Sequence, residues 1–208
     1  MKQMINTTDY AFDVERYRDE ADAISFAGNL GMDGFELLPC EGGRDDFFTE
    51  RSVVGVHLRY FDSWLDFWNG KLEMLSKEYG SFEKVKEIFG GLDRSCILKR
   101  FREDLERARK LKARYVVFHV SDARELFTYQ CRHTDEGVID AAAELINLLL
   151  DGENYTFDFL MENLWWPGLT MTRPEMTKRL LSQVHYQKKG IMLDTGHLMH
   201  MNLQLFPG

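Results

Sequence analysis

Residues 191–200 read IMLDTGHLMH. The apolar start, IML, predicts a short strand. It delivers Asp194, turns at Gly196 and sets His197 three residues beyond the aspartate. A carboxylate and an imidazole at the end of a buried strand suit a divalent metal or a polar substrate better than a packed core, because burying such groups unpaired is costly. A single Asp-x-x-His pair arises often by chance. Its weight depends on whether earlier strands end the same way.

They do. Residues 157–163 (FDFLMEN) predict a strand with Glu162 near its end, residues 114–120 (RYVVFHV) one with His119, and residues 53–58 (VVGVHL) one with His57. The last of these is an almost wholly apolar run, as a parallel strand covered on both faces requires. Residues 34–38 (GFELL), closed by Pro39, form an earlier strand carrying Glu36, and residues 3–8 a first one. Helical patterns alternate with the strands. One runs over residues 13–29, capped by Asp13, with Tyr17, Ala21, Ile24 and Ala27 inward and Gly31 as its stop. Another covers 95–112, with Leu98, Phe101, Leu105, Ala108 and Leu111 inward. Its outer lysines and arginines are mixed with acidic residues, a solvated face rather than a DNA patch. Thr134 caps a third over 135–150, with Val138, Ala142, Leu145 and Leu149 inward. Thr172-Arg173-Pro174-Glu175 has the form of a capping box opening a fourth, which runs to about Tyr186. Residues 41–50 are irregular, with room for a short helix. Residues 59–92, rich in aromatics (Tyr60, Phe61, Trp64, Phe67, Trp68), read as an insertion after the third strand. It is expected to pack its own small hydrophobic cluster, the alternative being a lid over a ligand.

Alternating strands and helices imply an α/β fold with a parallel sheet. Right-handed crossovers set all strand C-termini at one edge, and in a barrel these converge on one mouth. His57, His119, Glu162, Asp194 and His197 would gather there. One strand-end histidine is more often a satisfied polar residue than a ligand. The same residue types at four successive strand ends are harder to explain that way. Nitrogen and oxygen donors without thiolate suit Zn, Mn, Fe or Co, and Glu162 could bridge two ions. Around this set, Glu36, Arg59, Trp165, Trp166 and His197 are the candidate substrate contacts. Arg59 would meet a phosphate or carboxylate. The two tryptophans would stack on a sugar ring or simply pack the loop. His133 and His185 do not share the strand-end position, His185 falling late in a helix at the surface, and His200 only flanks the site.

A chain of 208 residues can bury a core and is expected to be one domain. No secretory signal and no membrane-length apolar run is present in the sequence. The three cysteines, Cys40, Cys96 and Cys131, match neither a disulfide framework nor a CxxC zinc site, which points to a reducing cytoplasm. A net charge of −8 argues against nucleic acid as a partner.

The segments VGVHL, VVFHV, FLMEN and LDTGH, in this order, resemble the xylose isomerase-like TIM barrel superfamily, which holds sugar (phosphate) isomerases and epimerases and AP endonucleases of the endonuclease IV type. The likeness spans nearly the whole chain, and LDTGH after a strand-end glutamate is its most specific part. It implies that His57, His119 and Glu162 hold one zinc and that Glu162 and Asp194 help hold a second metal. It makes His197 a third-metal ligand, as in the endonucleases, or a substrate contact, as in the isomerases. The family's barrel has eight strands, the last two supplying a further His and Glu. This sequence carries about six of the eight βα units, so the expectation is one C-terminally incomplete TIM-barrel domain over residues 1–208, its open edges either covered by another copy in a homo-oligomer or those of a truncated product. The function implied is a divalent-metal-dependent sugar or sugar-phosphate isomerase or epimerase. Glu162 is its proton-transfer residue, and Zn or Mn comes before Mg, Fe or Co. The alternatives are an endonuclease IV-like phosphodiesterase on abasic DNA and a truncated, non-catalytic metal-binding remnant.

Overall fold

The apolar runs become six strands: β1 (Met4–Thr8), β2 (Gly34–Leu38), β3 (Val53–His57), β4 (Tyr115–His119), β5 (Asp158–Glu162) and β6 (Lys189–Met192). They form one sheet in chain order, every neighbouring pair parallel. The computed structural model describes residues 2–123 and 132–205. An order that never reverses is that of a barrel wall; a doubly wound sheet reverses at a switch point. The α/β, TIM-barrel-type architecture expected from the sequence is the one found.

Alternation along each strand divides the wall into two faces. Phe35, Leu37, Val56, Val116, Phe118, Phe159 and Met161 point outward and are buried in the main hydrophobic core with the helices. Their alternates, Glu36, Gly55, His57, Tyr115, His119 and Glu162, line the inner face. Gly55 is required there, because the Tyr115 ring occupies the space a β-carbon would take.

The helices follow the sequence pattern with local corrections. The helix expected over 13–29 is split into α1 (Ala11–Val14) and α2 (Glu20–Asn29). Asp13 does not cap it, since its carboxylate accepts the Thr8 hydroxyl at 2.6 Å. Asp19 caps α2 instead, accepting the Asp22 N–H at 2.8 Å. The inner face turns accordingly, burying Ala23 with Ala27 and leaving Ala21 exposed. Gly31 ends the helix at φ 73°. Residues 41–50 form turns without a helix, and Phe48 from that stretch packs on Phe35 at 5.4 Å between ring centres.

The aromatic insertion folds as α3 (Trp64–Trp68), α4 (Leu72–Tyr79) and α5 (Phe82–Phe89). It does not keep a separate cluster. Phe67 stacks on Phe89 at 4.1 Å, and Phe61 meets Phe101 at 5.5 Å, so the insertion extends the main core onto α6 (Ser95–Lys110). Thr134 caps α7 (Asp135–Leu150) as expected, accepting the Gly137 N–H at 3.2 Å. The capping box before α8 (Pro174–Gln183) does not form: the Thr172 hydroxyl pairs with that of Thr170 at 2.9 Å, and Arg173 is the N-cap without a side-chain bond. His185 lies just past α8, exposed beside Asp151. Cys40 and Cys96 are free thiols, and Cys131 is outside the described residues. No helix among the described residues is long and apolar enough to cross a membrane.

Candidate metal centre

Three adjacent strands bring the first group together. His119 and Glu162 are register partners across β4 and β5, and His57 approaches from β3. One carboxylate oxygen, Oε2 of Glu162, lies 3.1 Å from Nε2 of His57 and 3.1 Å from Nε2 of His119. The Nδ1 of His57 lies 3.0 Å from the Leu58 carbonyl, which fixes Nδ1 as the donor and aims Nε2 at the cluster. The Nδ1 of His119 is buried and has no hydrogen-bond partner among the described residues.

A second group shares Glu162. Asp194 follows β6 and opens α9 (Thr195–Leu205), its Oδ1 accepting the His197 N–H at 2.7 Å in the manner of an N-cap. His197 donates from Nδ1 to the Asn163 carbonyl at 2.7 Å, and the same nitrogen is 3.8 Å from both Glu162 and Asp194. Donor atoms of His57, His119 and Glu162 lie within 4.8 Å of one another, as do those of Glu162, Asp194 and His197. The first group is the better fit to an ion, because both imidazoles present Nε2 to one oxygen. In the second, the hydrogen bond to Asn163 leaves His197 only Nε2 to offer.

A family model described as Xylose isomerase-like TIM barrel matches residues 73–205. The chain belongs to the xylose isomerase-like TIM barrel family. Solved structures of similar fold include a D-tagatose 3-epimerase-like protein (17% identity, TM-score 0.50, covering 95% of this chain and 66% of the other). Endonuclease IV from Thermus thermophilus is similar at 18% identity and TM-score 0.52, covering 95% and 64%. The apo form of 3-keto-D-glucoside 4-epimerase from E. coli is similar at 14% identity and TM-score 0.56, covering 95% and 70%. The chain thus spans about two thirds of the length of these neighbours, and identities this low speak to fold alone. No curated protein sequence matches it.

The electrostatics of this xylose isomerase-like chain follow from burial opposed by shared hydrogen bonds. Burial raises the Glu162 carboxyl, but the bonds from His119 and His57 outweigh it and hold the group at about 2. Burial lowers His57, yet its bonds to Glu162 and Leu58 prevail and its pKa ends above the ordinary value. For His119 burial prevails and the pKa falls. One imidazole biased toward its charged form and one biased toward its neutral form therefore share an ionised carboxylate, an arrangement that a divalent ion could complete. Two imidazoles and a carboxylate, with no thiolate, are a donor set for a Zn- or Mn-class ion.

The expected substrate contacts divide. Trp165 borders the second group, with ring centres 5.1 Å from His197 and 4.8 Å from His200. Glu36 is buried on the inner face, accepting the Tyr115 hydroxyl at 2.6 Å. Arg59 is committed to the buried Asp104, donating Nε and Nη2 at 2.8 and 2.6 Å. Trp166 is buried with Ala123 and Leu164 in a second hydrophobic cluster. Sequence reasoning gave no role to Asn163. That side chain is fully buried and bonds the Asp194 backbone both ways, to its carbonyl at 3.1 Å and from its N–H at 2.9 Å. An amide directly after the strand-end glutamate was the available signal. A cavity of about 1070 Å³ between residues 39–45 and α6 lies away from these groups, and its Arg59 and Arg107 are taken up by Asp104, Asp9 and Asp45.

Proposed function

We propose that this chain is a divalent-metal-dependent isomerase or epimerase of a sugar, with Zn or Mn held by His57, His119 and Glu162. The carrying observation is the single Glu162 oxygen shared at 3.1 Å by two imidazoles at the C-terminal end of the wall. A bound metal would polarise the substrate's hydroxy-carbonyl unit. Glu162, ionised at neutral pH, takes the proton from the carbon beside the carbonyl and returns it. Return on the same face to the former carbonyl carbon, with the hydroxyl proton passing to the former carbonyl oxygen, gives aldose–ketose isomerisation; epimerisation needs a second acid on the opposite face. Trp165 offers an apolar ring face beside the site. The lock of Arg59 onto Asp104 favours an uncharged sugar over its phosphate ester. The free thiols of Cys40 and Cys96 support a reducing cytoplasm as its setting.

The test is proton exchange. With Mn²⁺ or Zn²⁺ in D₂O, NMR should show deuterium entering the carbon next to the carbonyl of a neutral aldose or ketose, and Glu162→Gln should abolish this while keeping its far-UV CD. Full exchange in Glu162→Gln would refute the role. The same histidines and glutamate favour a second reading, an endonuclease IV-like phosphodiesterase, against which the net charge of −8 weighs. Salt-sensitive binding to abasic duplex DNA would establish it over the first.

A further inference from the structure

The three imidazoles of the site are not held alike. His57 and His197 are each anchored through Nδ1 to a backbone carbonyl, Leu58 and Asn163 respectively. His119 has no such anchor among the described residues, although its Nδ1 is buried. Beyond its Nε2 contact with Glu162, ring packing is what orients it among the described residues. Two of the rings against it belong to the site itself, His57 at 4.6 Å and His197 at 5.9 Å. Among the described residues the third is Tyr60, in a T-shaped contact at 5.3 Å with an interplanar angle of 80°.

Tyr60 is also tied to the chain leaving His119. Its hydroxyl oxygen accepts the Ala123 N–H at 2.6 Å. The rest of the insertion's start continues this clamp: Ser63 N–H to the Ala123 carbonyl at 2.7 Å, Trp64 Nε1–H to the Ser121 carbonyl at 2.7 Å, and Leu65 N–H to Asp122 at 3.0 Å. From the β5 side, Leu169 N–H reaches the Val120 carbonyl at 2.8 Å and Asp122 N–H the Pro167 carbonyl at 3.1 Å. The segment after β4 is gripped from both sides, and of the clamp residues named Tyr60 carries the ring contact to His119.

We propose that Tyr60 is a positioning residue for His119, its ring packing restraining this imidazole where a carbonyl anchors the other two, so that the aromatic insertion is coupled to the metal centre. This rests on reading His57, His119 and Glu162 as a metal site. Loss of an outer support of a metal-bound histidine costs about 10–100-fold in affinity. Calorimetric titration with Zn²⁺ alone should show about that loss for Tyr60→Leu, which removes ring and hydroxyl. Tyr60→Phe keeps the ring and should retain near-normal affinity while melting earlier, because it leaves the Ala123 N–H without its acceptor. Trp64→Phe, which breaks a different stitch of the clamp, should lower the melting temperature without changing affinity. Wild-type affinity in a folded Tyr60→Leu overturns the role, as does an equal loss in Trp64→Phe. Should Tyr60→Leu not fold, a Tyr60→Phe that stays folded yet loses about 10–100-fold in affinity shows that the ring is not what positions His119, and overturns the proposal. No binding by the wild-type chain overturns the metal-site reading itself.

Discussion

Replacing Asn163 by alanine separates what holds the second group of ligands from what holds the first. The side chain is fully buried and makes two hydrogen bonds, both to the backbone of Asp194 at 2.9 and 3.1 Å. Alanine leaves that N–H and that carbonyl without these partners. Each net hydrogen bond is worth about 1 kcal/mol, and a buried group left unsatisfied costs about 1–3 kcal/mol. Asp194 is partly open to solvent, so water offsets some of the loss. The expected destabilisation is about 2–3 kcal/mol, roughly 4–12 °C in melting temperature for a domain of this size. Urea unfolding would read it as a lower midpoint at unchanged slope. The His197 ring should stay, because its Nδ1 donates to the Asn163 backbone carbonyl, which alanine keeps. Zn²⁺ titration should therefore show the His57–His119–Glu162 group within about twofold of wild type. Any binding that depends on Asp194 should weaken. A stability change below about 0.5 kcal/mol, the size expected of an ordinary surface substitution, would refute the reasoning. So would a first group weakened as much as the second.

Asp66 lies buried at 2.9 Å from His133 and 3.1 Å from Lys71. Burial raises its carboxyl, but the bonds from His133 and Lys71 outweigh this and hold it at about 2 against an ordinary 3.8. A lowered carboxyl contributes stability that is complete above its unfolded pKa and lost as pH falls through the folded one. Urea midpoints should therefore drop more steeply between about pH 4 and pH 2 in wild type than in Asp66→Asn; parallel curves would contradict the pairing. Gly55→Ala should cost about 1–3 kcal/mol by overpacking, because its methyl group would meet the Tyr115 ring, and Gly55→Ala/Tyr115→Leu should recover part of that in thermal melts. An unaffected single variant would show that the ring is not held over β3.

The wall of the fold was legible because its signal is local and redundant. Residues 53–58 are almost wholly apolar, and the apolar stretches 115–118 and 159–161 mark the neighbouring strands. Helix starts were less legible because a capping side chain has competing local partners. Asp13 has the right type and place for a cap, but the Thr8 hydroxyl claims it. Thr172 fits a capping box, but the Thr170 hydroxyl claims it. Spacing alone does not choose between such neighbours. The merging of the insertion with the main core was hidden for a related reason. Phe61 meets Phe101 through tertiary packing, and nothing in residues 59–92 by themselves announces that partner.

The candidate ligands were legible for the same reason as the strands, and their supports were not. A histidine near a strand's end is recognisable from type and position. Asn163, Tyr60 and Tyr115 gain their meaning from partners 31, 63 and 79 residues away. Arg59 is the converse case, a residue suited to a ligand but claimed by Asp104, 45 residues on. This difference also bears on the metal reading. Three other buried carboxylates are closed by fixed cations or by a mixed set: Asp104 by Arg59, Asp9 by Arg107, Asp66 by Lys71 and His133. Among the described residues Glu162 is met only by imidazoles, and they hold it through protons that can leave. A buried carboxylate whose charge is balanced only by removable protons is where a divalent ion gains most, since it displaces them without moving a side chain from another task.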